Sequence, residues 1–524
     1  MLIAHLDFKG VLPRAEYLPQ LLQNLHDLQY DGILAEYEDI FPFECADFAI
    51  DPNEKWSRQT LQSFLDEAAR LNLQVIPLQQ TLGHFEYVLR WNSFRDFALG
   101  HQKNSTEYPS TIDITRQAPR KLALTMLREV LKAHPKSRYV HLGMDEAQAL
   151  VGYSKDSGRD VVAVFLDYLQ DLCDECERHN IKPVIWSDML EDHFSPSSLQ
   201  RFKEFAHRVV LCSWDYEADG KRTTWARFNG NRAARAWREN PLKQESPPLS
   251  SSQLWVEDLD EAGREFIDKH FDGETFAPLF WCDAWRNLGF EVWGASASRT
   301  SGDGAILPFF NQRVANVQTW SEARKRTGAS AQVVTSWARG TTFCPPIFPF
   351  DATWFVLQEA ARAEGRSTPA FFAGVEQETV SRIFQALGKC RENWRMENQM
   401  AAEMRDLAPQ LTTHRWEWEA VALLAGVLHW SRRADFAHEE MTYFKCNDLL
   451  PDSEWQRRID EQAAIKMDGA ILREQVSAHF AQLYAGRAFQ EWMRDVFDIS
   501  LERTQNDTQA CRVKLEISRT RYAR

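Results

Sequence analysis

The sequence predicts an α/β fold, a (β/α)8 TIM barrel, with an α-helical C-terminal domain behind it. Three observations carry that expectation. Short apolar runs of β type recur through the first two thirds of the chain, and amphipathic stretches with apolar residues at helical spacing separate them. From about Gly365 onward the strand signal disappears. Strand followed by helix, repeated eight times, is the pattern of a parallel barrel of ~250 residues or more. A chain of 524 residues therefore has room for a barrel over residues 1–350 and a helical domain over 365–524.

In chain order the expected strands are Leu2–Asp7, Gly32–Glu38, Leu73–Gln80, Tyr139–Asp145, Lys182–Asp188, Val209–Trp214, Glu291–Ala297 and Gln332–Trp337. Helices are expected at Glu16–Leu28, Arg58–Leu71, Arg120–Ala133 and Val161–Arg178, and in the tail at Thr379–Arg405, Arg415–Arg433, Ser453–Met467 and Ile471–Val496. Two intervals exceed a plain β-α unit. Thr81 to Arg138 opens with Gly83-His84. The long insertion at about 217–290 holds the Pro/Ser-rich Gln244–Gln253 and the aromatic cluster Phe280-Trp281-Cys282-Asp283-Ala284-Trp285. Loops that leave strand C-termini lie on the catalytic face of such barrels, so both intervals are placed to shape a pocket. The second reads equally as a partly ordered appendage.

Composition narrows the function classes. Hydrophobic residues at 44% and charged residues at 26% suit a soluble chain with a sizeable core. A net charge of −14 without a basic stripe argues against nucleic-acid and anionic-membrane partners and favours a small neutral or cationic substrate. An ionisable residue appears too early at the N-terminus for a secretory leader, no long apolar span follows, and nine scattered cysteines form no disulfide framework. A cytoplasmic location is the expectation. Cys173 and Cys176 form a C-x-x-C inside an expected helix with no second pair, which speaks against a metal site.

The segment His141-Leu142-Gly143-Met144-Asp145-Glu146 concentrates the chemistry. Side chains alternate along a strand, so His141, Gly143 and Asp145 share one face, and Glu146 falls just past the strand end. Adjacent carboxylates at a barrel mouth disfavour double ionisation, which lets an acid and an anion coexist. Alone, Asp-Glu reads as a helix cap.

The wider pattern resembles glycoside hydrolase family 20, the β-N-acetylhexosaminidases, in its short hexosaminidase D-like branch. The resemblance covers most of the first 345 residues. It rests on His-x-Gly-x-Asp-Glu at the fourth strand and on His5-Leu6-Asp7-Phe8-Lys9-Gly10, Glu36-Tyr37-Glu38-Asp39-Ile40-Phe41-Pro42 and Gln80-Thr81-Leu82-Gly83-His84-Phe85-Glu86. Trp186-Ser187-Asp188, Trp214-Asp215-Tyr216, Trp293-Gly294-Ala295-Ser296-Ala297 and Ser336-Trp337 complete it at the later strand ends.

The resemblance implies retaining, substrate-assisted removal of terminal β-linked N-acetylglucosamine or N-acetylgalactosamine, without metal or organic cofactor. It implies Asp145 as the residue that orients the 2-acetamido group and Glu146 as the general acid and base. Trp186, Trp214 and Trp337 would wall the pocket and Tyr216 would bond the acetamide carbonyl. His84 and Asp188 are further candidates for substrate contact, although His84 reads equally as structural. Lys9, Glu36 and Asp39 are candidate hydroxyl binders or plain ion pairs.

The chain departs from larger members of the family, which carry an Arg on the first strand and Trp-x-Glu on the eighth. Here those stretches read Asp7-Phe8-Lys9 and Trp337-Ala338-Arg339. The residues that read the 3-, 4- and 6-hydroxyls are accordingly left unassigned. Two alternatives stay open: a barrel glycosidase with a protein nucleophile such as Glu36 or Glu38, and a catalytically silent carbohydrate-binding barrel. The oligomeric state, homo-oligomers included, and the job of the helical tail are open too.

Overall fold

The computed structural model describes the chain outside residues 49–53, 101–108, 194–195, 224, 229–230, 235–252, 256–260, 273–274, 390–395, 445–449 and 523–524. The strands β1 (Leu2–Asp7), β2 (Gly32–Glu36), β3 (Gln74–Leu78), β4 (Tyr139–His141), β5 (Lys182–Trp186), β6 (Val210–Trp214), β7 (Glu291–Arg299) and β8 (Ala331–Ser336) form a closed parallel barrel. β1 bonds to β2 on one side and β8 on the other, with Ile3 paired to Gly32 and to Val333.

Period-2 alternation sorts the strand residues into two layers. Ile3, Leu34, Ile76, Val184, Val210 and Val333 gather with Trp186 and Trp293 in one buried cluster, the barrel interior. Their neighbours Ala4, Ile33, Val75, Ile185, Leu211 and Val334 belong to the larger core under the helices. Both faces are buried, which is why these strands read as unbroken apolar runs. Helices α1 (Leu18–Asp27), α2 (Arg58–Arg70), α3 (Gln117–Ala133) and α4 (Val161–Arg178) follow β1 to β4. Asp160 caps α4 by accepting from the N–H groups of Val162 and Ala163. Cys173 and Cys176 are core residues of α4, and burial keeps both thiols protonated, pushing Cys173 up to about 12.

The fourth strand is shorter than expected. Regular pairing ends at His141, and Gly143 and Met144 take φ of 67° and 74°. Left-handed backbone breaks the alternation of faces, so a turn rather than the pleat aims Asp145. Gly143 is required there twice over, by its φ and because a Cβ would collide with the side chain of Gln80.

The insertion contains a small sheet, Trp225–Phe228 antiparallel to Asn231–Ala234, which pairs in parallel with Gln253–Trp255. The Pro/Ser-rich stretch lies outside the described residues except for Gln253. The aromatic cluster is helical (Phe280–Asn287) and packs as core: Trp285 is fully buried and donates its indole N–H to Glu191 at 3.1 Å.

The tail is helical, with boundaries unlike those expected. Thr379–Arg405 resolves into Gln377–Gly388 and Met396–Leu407. Then come α5 (Arg415–Phe444), α6 (Asp452–Phe480), α7 (Gly486–Met493) and α8 (Ile499–Tyr522). Gly469, in the gap between two expected helices, lies inside α6, where a Cβ would meet the Trp430 ring. α8 has no apolar stripe for a sequence reading to detect, and it is held by packing along α6. Buried polar contacts tie tail to barrel. Asp351 accepts from the hydroxyls of Tyr17 and Tyr484, and Asn24 donates to Glu417 at 3.1 Å.

Candidate active site

The turn after β4 places Asp145 and Glu146 at the C-terminal mouth of the barrel. Asp145 is 6% exposed, and its Oδ1 is buried without a hydrogen-bond partner. The Glu146 side chain is 55% exposed. His84, on the loop after β3, sits between them: Nε2 lies 3.4 Å from Asp145 Oδ2 and 3.3 Å from Glu146 Oε2. Burial works against a charged ring here, but the carboxylates of Asp145, Glu146 and Glu86 outweigh it and hold the His84 pKa well above its usual value. Glu86, whose Oε1 is 3.8 Å from His84 Nδ1, is buried, and desolvation pushes its own pKa up.

Four non-glycine residues at the strand ends have left-handed backbone: Glu38 (φ 45°), His84 (49°), Met144 (74°) and Glu146 (47°). Each such conformation costs on the order of 1–3 kcal/mol and persists only where the surroundings impose it. Asp188, just past β5, is part of that imposition. It is 4% exposed, its Oδ2 accepts the Glu146 backbone N–H at 3.0 Å, and its Oδ1 accepts the Trp214 indole N–H at 3.4 Å. Asp188, a candidate for substrate contact, thus also holds the Glu146 backbone and the Trp214 indole in place.

The aromatic candidates meet although they come from three strand ends. Trp214 stacks on Tyr216 with centroids 5.1 Å apart, Tyr216 lies 6.5 Å from Trp337, and Trp337 lies 6.1 Å from Trp186. The indole N–H of Trp186 is buried without a hydrogen-bond partner. Burial keeps the Tyr216 hydroxyl protonated, against a smaller pull from Trp337 and Thr335.

Below this wall lies an ion-pair network. Lys9 Nζ is 3.0 Å from Asp7 and 3.3 Å from Glu36, while Glu36 also meets His5 at 3.1 Å and Gln80 at 3.2 Å. Burial raises the Glu36 pKa, but Lys9 and His5 more than reverse it and keep the carboxylate ionised. Asp39 pairs with Arg90 at 2.7 Å. Sequence reading passed over Glu86, Gln80 and Asp188's bracing contacts. The first two lie within a quoted motif, but nothing local shows which atoms they reach.

The architecture is thus that of a barrel with its candidate site at the C-terminal strand ends, the face where barrel enzymes keep their chemistry. In sequence, the chain is 31% identical to "Hexosaminidase D" of Bos taurus over 232 residues, 42% of this chain and 64% of that protein. It is 30% identical to "Hexosaminidase D" of Homo sapiens over 232 residues, 42% of this chain and 45% of that protein. The matches span less than two thirds of each relative. The resemblance read from the strand-end motifs is borne out, since these relatives carry the name of the branch the motifs resemble. Among solved structures, the β-N-acetylhexosaminidase from Bacteroides fragilis aligns with a TM-score of 0.43 and 13% identity, covering 75% of this chain and 70% of that one. A likeness of that degree carries no argument. No family model matches the chain.

Proposed function

We propose that this chain is a glycoside hydrolase of family 20, a retaining exo-β-N-acetylhexosaminidase that acts on oligosaccharides or glycoconjugates ending in β-linked N-acetylglucosamine or N-acetylgalactosamine. The observation that carries the reading is the convergence of His84, Asp145 and Glu146 within 3.4 Å of one another's polar atoms through His84 Nε2, beside a continuous aromatic wall. The relatives named hexosaminidase D support it.

In this reading the 2-acetamido oxygen attacks the anomeric carbon as the glycosidic C–O bond breaks, and Glu146 gives its proton to the leaving oxygen. The cyclic oxazolinium ion is then opened by water at the same carbon, with Glu146 taking the water proton. Asp145 Oδ1, buried and without a protein donor, is the acceptor for the acetamide N–H and balances the positive charge on the ring. Tyr216 donates to the acetamide oxygen. Trp186, Trp214 and Trp337 confine the group, and holding it in attack geometry is worth on the order of 7–11 kcal/mol in good intramolecular models. Asp188 positions Glu146 and Trp214. Glu36 is a poor nucleophile, being fully buried and held by Lys9, His5 and Gln80. The mechanism calls on no cofactor.

The test is chromophore release from an aryl β-N-acetylglucosaminide, with the plain β-glucoside as control. Release from the first alone is expected. Comparable release from both would remove the acetamide from the reaction.

A further inference from the structure

We infer that the helical tail is a working part of the substrate site: α7 closes a cleft beside the aromatic wall that receives the hydroxymethyl arm of the terminal sugar, whose hydroxyl bridges Arg339 and Glu491. The identity of the ring rests on the hexosaminidase reading; the cleft and its two readers go beyond it.

The segment leading into and along α7 is fixed to loops on the catalytic face. The Arg14 backbone N–H donates to the Leu483 carbonyl at 2.7 Å and its guanidinium to Ala481 at 3.1 Å. Trp492, fully buried in α7, donates its indole N–H to the Ala305 carbonyl at 2.8 Å. Arg14 follows β1 and Ala305 follows β7, so the tail is anchored at two strand C-termini.

The cleft lies among the ends of β1, β2 and β8 and shares a wall with the aromatic pocket, because Lys9 lines it and also sits 4.6 Å over the Trp337 ring. Phe8 and Ala488 give it an apolar side, and Arg339, Glu38 and Glu491 a polar one. It leaves about 50 Å³ for the centres of water-sized groups. On that measure one water needs roughly 10–15 Å³, so a CH2OH arm fits.

Arg339 supplies an independent pointer to a ligand. It is 6% exposed, and its Nε–H is buried without an acceptor. Nη1 donates to the Thr342 carbonyl at 3.2 Å, whereas Nη2 stops 3.9 Å from Glu491 Oε2. Arg487 holds Glu491 from one turn earlier at 2.8 Å. A gap of that size is too long for a direct bond and short enough for one oxygen to span. A hydroxyl can do both jobs at once, accepting from Arg339 and donating to Glu491. Sulfate or phosphate would face Glu491 unfavourably, so a neutral arm is the better fit.

The experiment is calorimetric titration of N-acetylglucosamine and its 6-deoxy analogue into the full chain, the Glu491→Ala variant and the Arg339→Gln variant. A hydroxyl held by two charged groups should give the wild type about a tenfold or greater preference for the parent sugar. Either variant should reduce that preference to about twofold or less, and Glu491→Gln, which keeps an acceptor, should retain part of it. If a variant fails to fold, Arg339→Lys takes its place, keeping the charge but losing the planar fork. Equal binding of both sugars by the wild type, or the same ratio in wild type and Glu491→Ala, overturns the inference. Binding is read without turnover. A chain that shows the ratio but cleaves no N-acetylhexosaminide would sink the hydrolase reading and leave the cleft standing, whereas an active chain with an unchanged ratio would do the reverse.

Discussion

The barrel interior and the barrel mouth are built by the same strands and behave oppositely, and a pair of histidines shows how. His141, at the end of β4, is fully buried against Trp186, and desolvation pushes its pKa down to about 3. Its Nδ1 accepts the Gly143 N–H at 3.1 Å, as a neutral ring can. His84 is also largely enclosed, yet its pKa moves well up because three carboxylates face it. Burial alone therefore does not decide whether a histidine is charged; its neighbours do. The backbone differs as well: no barrel strand contains a positive φ, whereas Glu38, His84, Met144 and Glu146 at the mouth all have one.

The sharpest test of the division is at the mouth. Glu146→Gln should lose about 10²–10⁴ in kcat/KM on substrates with poor leaving groups and far less on activated aryl glycosides, which need little help from an acid. Steady-state kinetics on both substrate types checks this, and equal losses would take Glu146 out of the acid role. Asp145→Asn should erase most of the preference for a thiazoline mimic of the cyclic intermediate over the plain sugar, because a neutral amide cannot balance a ring cation. An unchanged affinity ratio by calorimetry would remove the acetamide as nucleophile.

An interior substitution should act in the other currency. Leu34→Ala deletes packing in the barrel interior and should cost about 2–5 kcal/mol of stability, seen as a lowered Tm, while the folded fraction keeps the leaving-group dependence of the wild type. A change in that dependence would mean that interior and mouth are not separable. Tyr216→Phe sits between the two, in a half-buried residue of the wall. It should lower kcat/KM by roughly the value of one hydrogen bond, about tenfold, with Tm little changed.

The smallest effect is in pH dependence. His84 has a folded pKa above its unfolded value of about 6.5, so its stabilising contribution is fully present below that value and fades as pH rises through the folded pKa. The destabilisation caused by His84→Gln, measured by denaturant titration, should therefore be greater near about pH 5.5 than near about pH 10. His141, with its folded pKa depressed to about 3, works the other way: its neutral ring costs the wild type stability as pH falls below about 6.5. A pH-independent loss in His84→Gln would show that neighbouring carboxylates do not charge the ring.

The eight strands and the first four barrel helices were legible in the sequence because their signals are local. Period-2 and period-3.6 patterns span a few residues each, and Asp145 and Glu146 are adjacent in the chain. Boundaries failed where a local signal conflicted with packing, as at Gly469 inside α6, or where no stripe existed, as in α8. The end of β4 was misread because positive φ at Met144 leaves no mark in a residue type that favours strands and helices alike.

What the sequence by itself determined, then, is the barrel, the helical tail and the pair of carboxylates at a strand end. The tertiary structure alone decided which groups meet there. His84 reaches Asp145 across about sixty positions of chain, Trp337 reaches Trp186 only because β8 closes on β1, and Glu491 approaches Arg339 because the tail returns to the mouth. Those distances follow from barrel closure and from long-range burial, neither of which any short window of residues encodes.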